Sequence, residues 1–258
     1  MARPSGGVQS VDRSLLLLEL LADAGGSLRL AELEAATGLP LPTVHRLIRA
    51  LVDNGYVRQE PSRRYALGPR LIRLGETAAR GLGSWAMPQL RALVAEIGET
   101  ANLALLDGHQ VVYVAQVPSG HSMRMFTEVG RRVGAHCTGV GKALLARLGP
   151  EEVLDLRSRS GMEARTPQTI TDPARMLEEL EAIRERGWAL DDGEQEAGVC
   201  CVAVAVDPAP TLLAVSVSGP RGRSDPARVE AVAPRLQAAA RDLGRVLAET
   251  EGPAPVAR

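Results

Sequence analysis

Apolar side chains at Val11, Leu15, Leu18, Leu21 and Ala22 recur at helical spacing, which predicts a helix over residues 11–24 that Gly25-Gly26 stops. A second helix is predicted over Leu30–Thr37, with Gly38 as its break. The turn Gly38-Leu39-Pro40-Leu41 leads into Pro42, which suits a first helical position because its missing N–H is not needed there. A third helix is predicted over residues 43–53, with Val44, Leu47, Ile48 and Leu51 on one face and Asn54-Gly55 at its end. Two short extended runs, Tyr56-Val57-Arg58 and Tyr65-Ala66-Leu67, flank the turn Glu60-Pro61-Ser62-Arg63-Arg64 and predict a hairpin. Helix, helix, turn, helix, hairpin is the order of a winged helix-turn-helix. A generic three-helix packing unit is the alternative. The arginines of the hairpin and the apolar/polar split of the third helix favour DNA.

A helical stretch follows over residues 69–82, carrying Leu71, Ile72, Leu74 and Ala78 on one side. Gly81 and Gly83 mark a bend, and residues 85–97 continue the helical pattern as a stiff linker without Ser/Pro-rich composition. From Thr100 the period changes. Residues 102–106 and 111–115 read as strands around the hairpin signal Asp107-Gly108, with a third strand expected at residues 123–129. A helix is expected over residues 139–148, and Asp172-Pro173 opens another that Gly187 closes. Residues 199–206 and 212–217 read as buried strands, and Asp225-Pro226 opens a last helix to about Glu249. The fold class is α+β, with the second half built on a mostly antiparallel sheet. The expected domains are residues 1–68 (winged helix-turn-helix), 69–98 (linker helix region), 99–250 (sensor) and a frayed tail at 251–258.

Composition and charge narrow the function. Apolar residues make 45% of the 258 and aromatics 2%, so the cores rest on Leu, Val, Ala and Ile. No apolar run approaches the roughly 18 residues of a membrane span, and the N-terminus lacks the apolar stretch of a signal peptide, which predicts a cytoplasmic protein without membrane partners. Three cysteines, Cys137, Cys200 and Cys201, give neither a disulfide framework nor metal-ligand spacing, so no cofactor is expected. The net charge is −1, but its distribution is uneven. Between Pro42 and Arg73 seven arginines face two acids, an excess of five, which is the electrostatic footprint of a DNA-binding face. A helix N-terminus in the major groove would bring Thr43, His45 and Arg46 to base edges, with Arg49 one turn on. Arg63 and Arg64 at the hairpin tip suit phosphate or minor-groove contact.

Four stretches carry a family resemblance: residues 30–55 with the hairpin ending Arg64-Tyr65-Ala66-Leu67-Gly68; His136-Cys137-Thr138-Gly139-Val140-Gly141-Lys142; Gly187-Trp188-Ala189-Leu190-Asp191-Asp192-Gly193-Glu194; and Gly198-Val199 through Ser216-Val217-Ser218-Gly219-Pro220. On these the chain resembles the isocitrate lyase regulator (IclR) family of bacterial transcription factors over nearly its whole length. The resemblance implies a GAF-like effector domain and dimers formed through the DNA-binding half, often extended to tetramers. It also implies a repressor on double-stranded operator DNA, released by a small organic acid. Within the family the chain is most similar to regulators of allantoin and glyoxylate use. That subgroup implies an effector site of Gly139, Val140 and Gly141 at a helix start with Asp191, Cys201, Ser216 and Ser218. The match departs in a shorter loop before Leu212.

The residues themselves support part of this. Ser216 and Ser218 alternate with Val215 and Val217 and so share one strand face. Small polar groups on an otherwise apolar face suit a small polar ligand, and glyoxylate is the expected one; buried hydroxyls that bond the backbone are the plain alternative. Asp191 is awkward beside a carboxylate, so it must accept from a hydrated aldehyde or hold backbone groups from behind. Lys142, the one lysine in the chain, reads as solvated. The rival functions are an activator sensing an aromatic acid and, from another class, a GAF-type enzyme or thiol redox sensor using Cys137, Cys200 or Cys201.

Overall fold

The computed structural model describes residues 8–125, 127–209, 211–224 and 226–249. The expected tail at 251–258 lies outside them. The chain divides into two compact units, Met1–Ala78 and Ala79–Arg258.

The first unit runs α1 (Gln9–Asp23), β1 (Ser27–Leu28), α2 (Leu30–Thr37), α3 (Leu41–Asp53), β2 (Val57–Gln59), β3 (Tyr65–Leu67) and into α4 (Arg70–Leu82). Its core takes Leu17 and Leu21 from α1, Leu33 from α2, and Val44, Leu47, Ile48 and Leu51 from α3, closed by Val57 and Tyr65; the α3 face is the expected one, whereas on α1 the expected Val11, Leu15 and Ala22 are exposed and Leu17 is buried instead. Gly38 caps α2 in the left-handed region (φ 65°), where a side chain would be strained, and its N–H donates to Glu34 O. The same Glu34 accepts the Leu41 N–H through its carboxylate at 3.0 Å, which ties the end of α2 to the start of α3. The helix therefore begins two residues before the expected start, with Pro42 in its first turn. The two residues of β1 pair with β3 to make a three-stranded sheet, order β1-β3-β2. A two-residue strand has no period to read. At Gly68 a Cβ would stand 2.3 Å from Gly55 O, so the hairpin can return to α3 only on a glycine.

The second unit continues through a 3-10 turn (Ser84–Ala86) to α5 (Met87–Ile97), β4 (Thr100–Asp107), β5 (Gln110–Val117), β6 (Arg132–Gly134), α6 (Gly139–Leu145), α7 (Pro150–Ser160), α8 (Pro173–Arg186), β7 (Ala189–Asp192), β8 (Val199–Ala205), β9 (Leu213–Pro220) and α9 (Pro226–Glu249). The strands make a six-stranded sheet, order β6-β5-β4-β9-β8-β7, antiparallel at every pairing among the described residues. One face is covered by α5 and α9, whose Leu90, Leu93, Leu236 and Leu243 meet Val202, Val215 and Val217. The other is covered by α6 and α8, whose Val140, Leu144, Leu180 and Ile183 meet Ala189, Ala203 and Ala214.

Two expectations are corrected. The described residues of 123–129 form no strand (Phe126 lies outside them); the strand beside β5 is β6, further along. The helix at Gly139 ends at Leu145 rather than 148. Two elements carried too weak a pattern to read: α7 has few apolar positions, and β7 is only four residues long.

Candidate functional site

Two places concentrate the chemistry, one in each unit. The first is the outward face of α3. Its apolar face is spent on the core, so His45, Arg46 and Arg49 stand exposed and Thr43 is half-buried. No ion pair engages Arg46 or Arg49 among the described residues, and both guanidiniums are available to a ligand. The hairpin arginines divide sharply. Arg63 sits exposed at the tip with φ 61°, a left-handed conformation rare for a residue with a side chain. Arg64 points back: its Nε donates to Ser27 Oγ at 3.0 Å, its Nη2 donates to Ser27 O at 2.5 Å, and it pairs with Glu32 at 3.2 Å. Its guanidinium therefore pins the hairpin to β1 and α2 and is not presented at the tip. Of the two arginines expected to meet phosphate, only Arg63 is presented at the tip, while Arg64 is engaged in structure.

The second place lies on the α6 side of the large sheet. Antiparallel register sets Asp191, Cys201, Ser218 and Thr100 opposite one another in one rung, and Ala203, Ser216, Asn102 and Gln116 in the next. Residues directly opposite share a face, so these polar groups form one patch on a sheet that is otherwise alanine and valine. The start of α6 lies against it. A Cβ on Gly139 would come within 3.2 Å of Cys201 Sγ, and one on Gly141 would overlap Ala135 O at 2.2 Å. Both glycines thus serve close backbone approach. Thr138 Oγ1 accepts the Gly141 N–H at 3.2 Å. The amides of Gly139 and Val140 remain the ones aimed outward from the helix start, while the Val140 side chain belongs to the core.

Asp191 takes the second of its two expected roles. Its Oδ1 accepts the backbone N–H of Glu194 at 2.7 Å and of Gln195 at 3.4 Å, holding the turn after β7 from behind. Burial pushes its pKa up to about 7, against the lowering effect of the Glu194 N–H and of Lys142. Burial likewise pushes the Cys137 thiol up to about 12 and raises those of Cys201 and the Tyr113 phenol. The Cys137 Sγ–H donates to Gln195 Oε1 at 2.8 Å, whereas its chain neighbour His136 is half-buried and meets Glu163 O. Burial thus disfavours the thiolate of Cys137 and of Cys201, the form that nucleophilic or redox chemistry at these two residues needs. No cluster able to hold a metal occurs among the described residues.

Lys142 is the clear departure from expectation. It is 1% exposed, not solvated, and its Nζ pairs with Glu194 and lies 3.7 Å from Glu179. A helix only seven residues long turned this side chain inward, and nothing in its spacing announced that. Asn102, Gln116, Thr100 and Tyr113 also belong to the patch and were missed. Asn102 had a signal, a polar residue opening an otherwise apolar run that reads as a strand, whereas Gln116 lies one residue beyond the strand expected at 111–115.

A profile described as "Bacterial transcriptional regulator IclR C-terminal" matches residues 77–245, and "IclR helix-turn-helix domain" matches residues 10–61. The chain is 37% identical over 235 residues to the transcriptional repressor IclR of Escherichia coli (strain K12), covering 88% of this chain and 86% of that one. It is 31% identical over 246 residues to the HTH-type transcriptional repressor AllR of the same strain, covering 93% and 91%. A solved IclR transcriptional regulator from Alicyclobacillus acidocaldarius superposes with a TM-score of 0.81 at 29% identity, covering 93% and 99%.

Two predictions follow from this geometry. Replacing Arg63 by glycine relieves a left-handed side-chain conformation, so Arg63→Gly should raise unfolding stability by about 0.5–1 kcal/mol while weakening binding to all DNA sequences alike. A variant that melts earlier than wild type in calorimetry would show that the tip is not strained. Asp191 has a folded pKa above its unfolded value, so its contribution to stability is complete below about pH 4 and is lost as pH rises through about 7. Asp191→Asn keeps an acceptor for both N–H groups and removes the buried charge. Its stability advantage should therefore grow from pH 5 to pH 8, reaching about 1–3 kcal/mol; a difference independent of pH would refute the assignment.

Proposed function

The chain belongs to the IclR family of bacterial transcriptional regulators, and we propose that it is a cytoplasmic repressor released from operator DNA by glyoxylate or a similarly small oxoacid. Its helix-turn-helix binds DNA and its C-terminal domain binds an effector, as in the repressors to which it is similar. In this reading Arg46 and His45 meet base edges, with Thr43 and Arg49 beside them, and Arg63 meets phosphate. Residues 1–68 hold the DNA, residues 69–98 carry the linker and residues 99–250 hold the effector. Two copies assemble through exposed apolar stripes: Val8, Val11 and Leu15 on α1, and Ile72, Leu74 and Leu82 on α4, a helix that buries none of its side chains within the chain. Dimers of dimers would extend the same assembly.

The observation that carries the effector reading is the polar patch on the sheet. Ser216, Ser218 and Cys201 are compact and uncharged, and the Lys142 ammonium close by is paired with Glu194. The Gly139 and Val140 amides suit the carboxylate of a two- or three-carbon acid, with the serines for its oxo group or hydrate. Gly141, whose own N–H is taken, sets the close approach of the helix. Asp191 supports the turn and leaves the ligand's carboxylate to the amides. Effector binding would shift the population toward an arrangement in which paired recognition helices no longer match successive major grooves.

Two measurements test this. Arg46→Ala should cost about 1–3 kcal/mol of operator affinity and relax base preference. Unchanged preference in a randomised-oligonucleotide selection would exclude Arg46 as a base reader. For the effector, glyoxylate and pyruvate should release DNA and raise the melting temperature at lower concentration than a benzoate series, and Ser216→Ala/Ser218→Ala should lose both responses. A double variant that responds as wild type does, or a benzoate that acts first, would place the effector elsewhere.

A further inference from the structure

The serine pair does not stand alone on the sheet. Asn102, 1% exposed on β4, lies opposite Ser216 in register. Its Nδ2 donates to Ser218 Oγ at 3.2 Å and to Ser216 Oγ at 3.4 Å. Its Oδ1 accepts from Gln116 Nε2, across the next strand pair, at 3.0 Å. A primary amide has one donor end and one acceptor end. Gln116 occupies the acceptor end of Asn102, so the donor end is the one turned to the serines. Turning the Asn102 amide over would set a carbonyl against the serines and an N–H against the Gln116 donor. Each serine hydroxyl thus receives a hydrogen bond on a lone pair and keeps its own proton to give. The Ser216 hydroxyl also meets the Cys201 sulfur, a weak partner that a ligand oxygen would readily replace.

We propose that Gln116 and Asn102 are positioning residues that hold Ser216 and Ser218 in the donor state, so that the site takes acidic ligands presenting acceptor oxygens, carboxylate, oxo or its hydrate, and rejects isosteres presenting only N–H at the same point. This rests on the reading of the serine patch as the effector site and adds the reason for its selectivity. A hydrogen bond from a neutral donor to a charged oxygen is worth more than one between neutral groups, and a buried donor facing a ligand donor is left unpaired. The serines alone do not decide this, because a hydroxyl can give or accept. The amide behind them removes the choice.

Gln116→Glu tests the relay with little change of shape. The new carboxylate only accepts, so the Asn102 amide turns its N–H groups toward it and its carbonyl toward the serines. Calorimetric affinity for glyoxylate and pyruvate at pH 8 should then fall about tenfold or more relative to wild type. As pH falls towards 4.5 that carboxylate gains a proton, becomes a donor again, and the ratio of variant to wild-type affinity should recover. The pocket's own titrating groups, Asp191, Cys137, Cys201 and Tyr113, are common to both proteins and cancel in the ratio. Gln116→Met, which neither donates nor accepts strongly, should lose only a few-fold with no pH recovery. A ratio near one at every pH overturns the relay, and so does a loss that is the same at both pH values, the mark of a merely structural role. If instead wild type binds neither acid, or Ser216→Ala/Ser218→Ala binds as wild type does, the pocket reading itself fails and takes the relay with it.

Discussion

An ammonium group with almost no exposure has to be paired, and in this chain the only lysine is in that position. Lys142 leaves α6 and meets Glu194 on the turn after β7. That turn is held from three other sides: Asp191 accepts its N–H groups, Thr169 Oγ1 donates to Glu194 O at 2.7 Å, and Thr166 Oγ1 donates to Gly193 O at 2.6 Å. The ion pair therefore joins a short helix to a short edge strand, α6 and β7. Removing one partner of such a pair typically costs about 3–5 kcal/mol. What depends on it is the helix start, where Gly139 rests on Cys201 and the polar patch of the sheet is closed from above.

The same patch shows how burial sets chemistry. Desolvation raises the pKa of Asp191, Cys137, Cys201 and Tyr113 together, so the polar face beneath α6 carries protonated thiols and a protonated phenol beside an aspartate that burial pushes up to about 7. That face holds no thiolate for attack or oxidation at Cys137 or Cys201. In the proposed effector site that inertness would suit a ligand that must leave unchanged for the response to reverse.

In the first unit a division of labour operates at the level of single residues. Helix α3 spends four apolar side chains on the core and so fixes which of its polar residues face out. Arg63 and Arg64 are neighbours of one type with opposite work. One is held at an exposed tip in a conformation that costs free energy, and the other is folded back as a clamp with its charge taken by Glu32. A backbone cost that persists at an exposed position points to a use outside the folding of the unit.

Periodicity determined most of the fold. Helices α1 to α3, the hairpin, the β4–β5 pair, α8 and α9 were all legible because each is long enough, or sharply enough punctuated by Gly, Pro or a cap, for local physics to decide. The outward residues of α3 followed from the same pattern, and the shared face of Ser216 and Ser218 followed from alternation. What stayed hidden was set by partners distant in sequence. β1 exists because β3 is there to pair with it. Arg64 is a clamp because Ser27 and Glu32 are brought beneath it, 37 and 32 positions away. Lys142 is buried because Glu194 comes to meet it, and Asn102 faces a serine pair 114 and 116 positions further on only because β4 and β9 are neighbours in that register. A side chain's direction is local, but the group it meets is chosen by strand order and helix packing, and neither is written in the spacing of one segment.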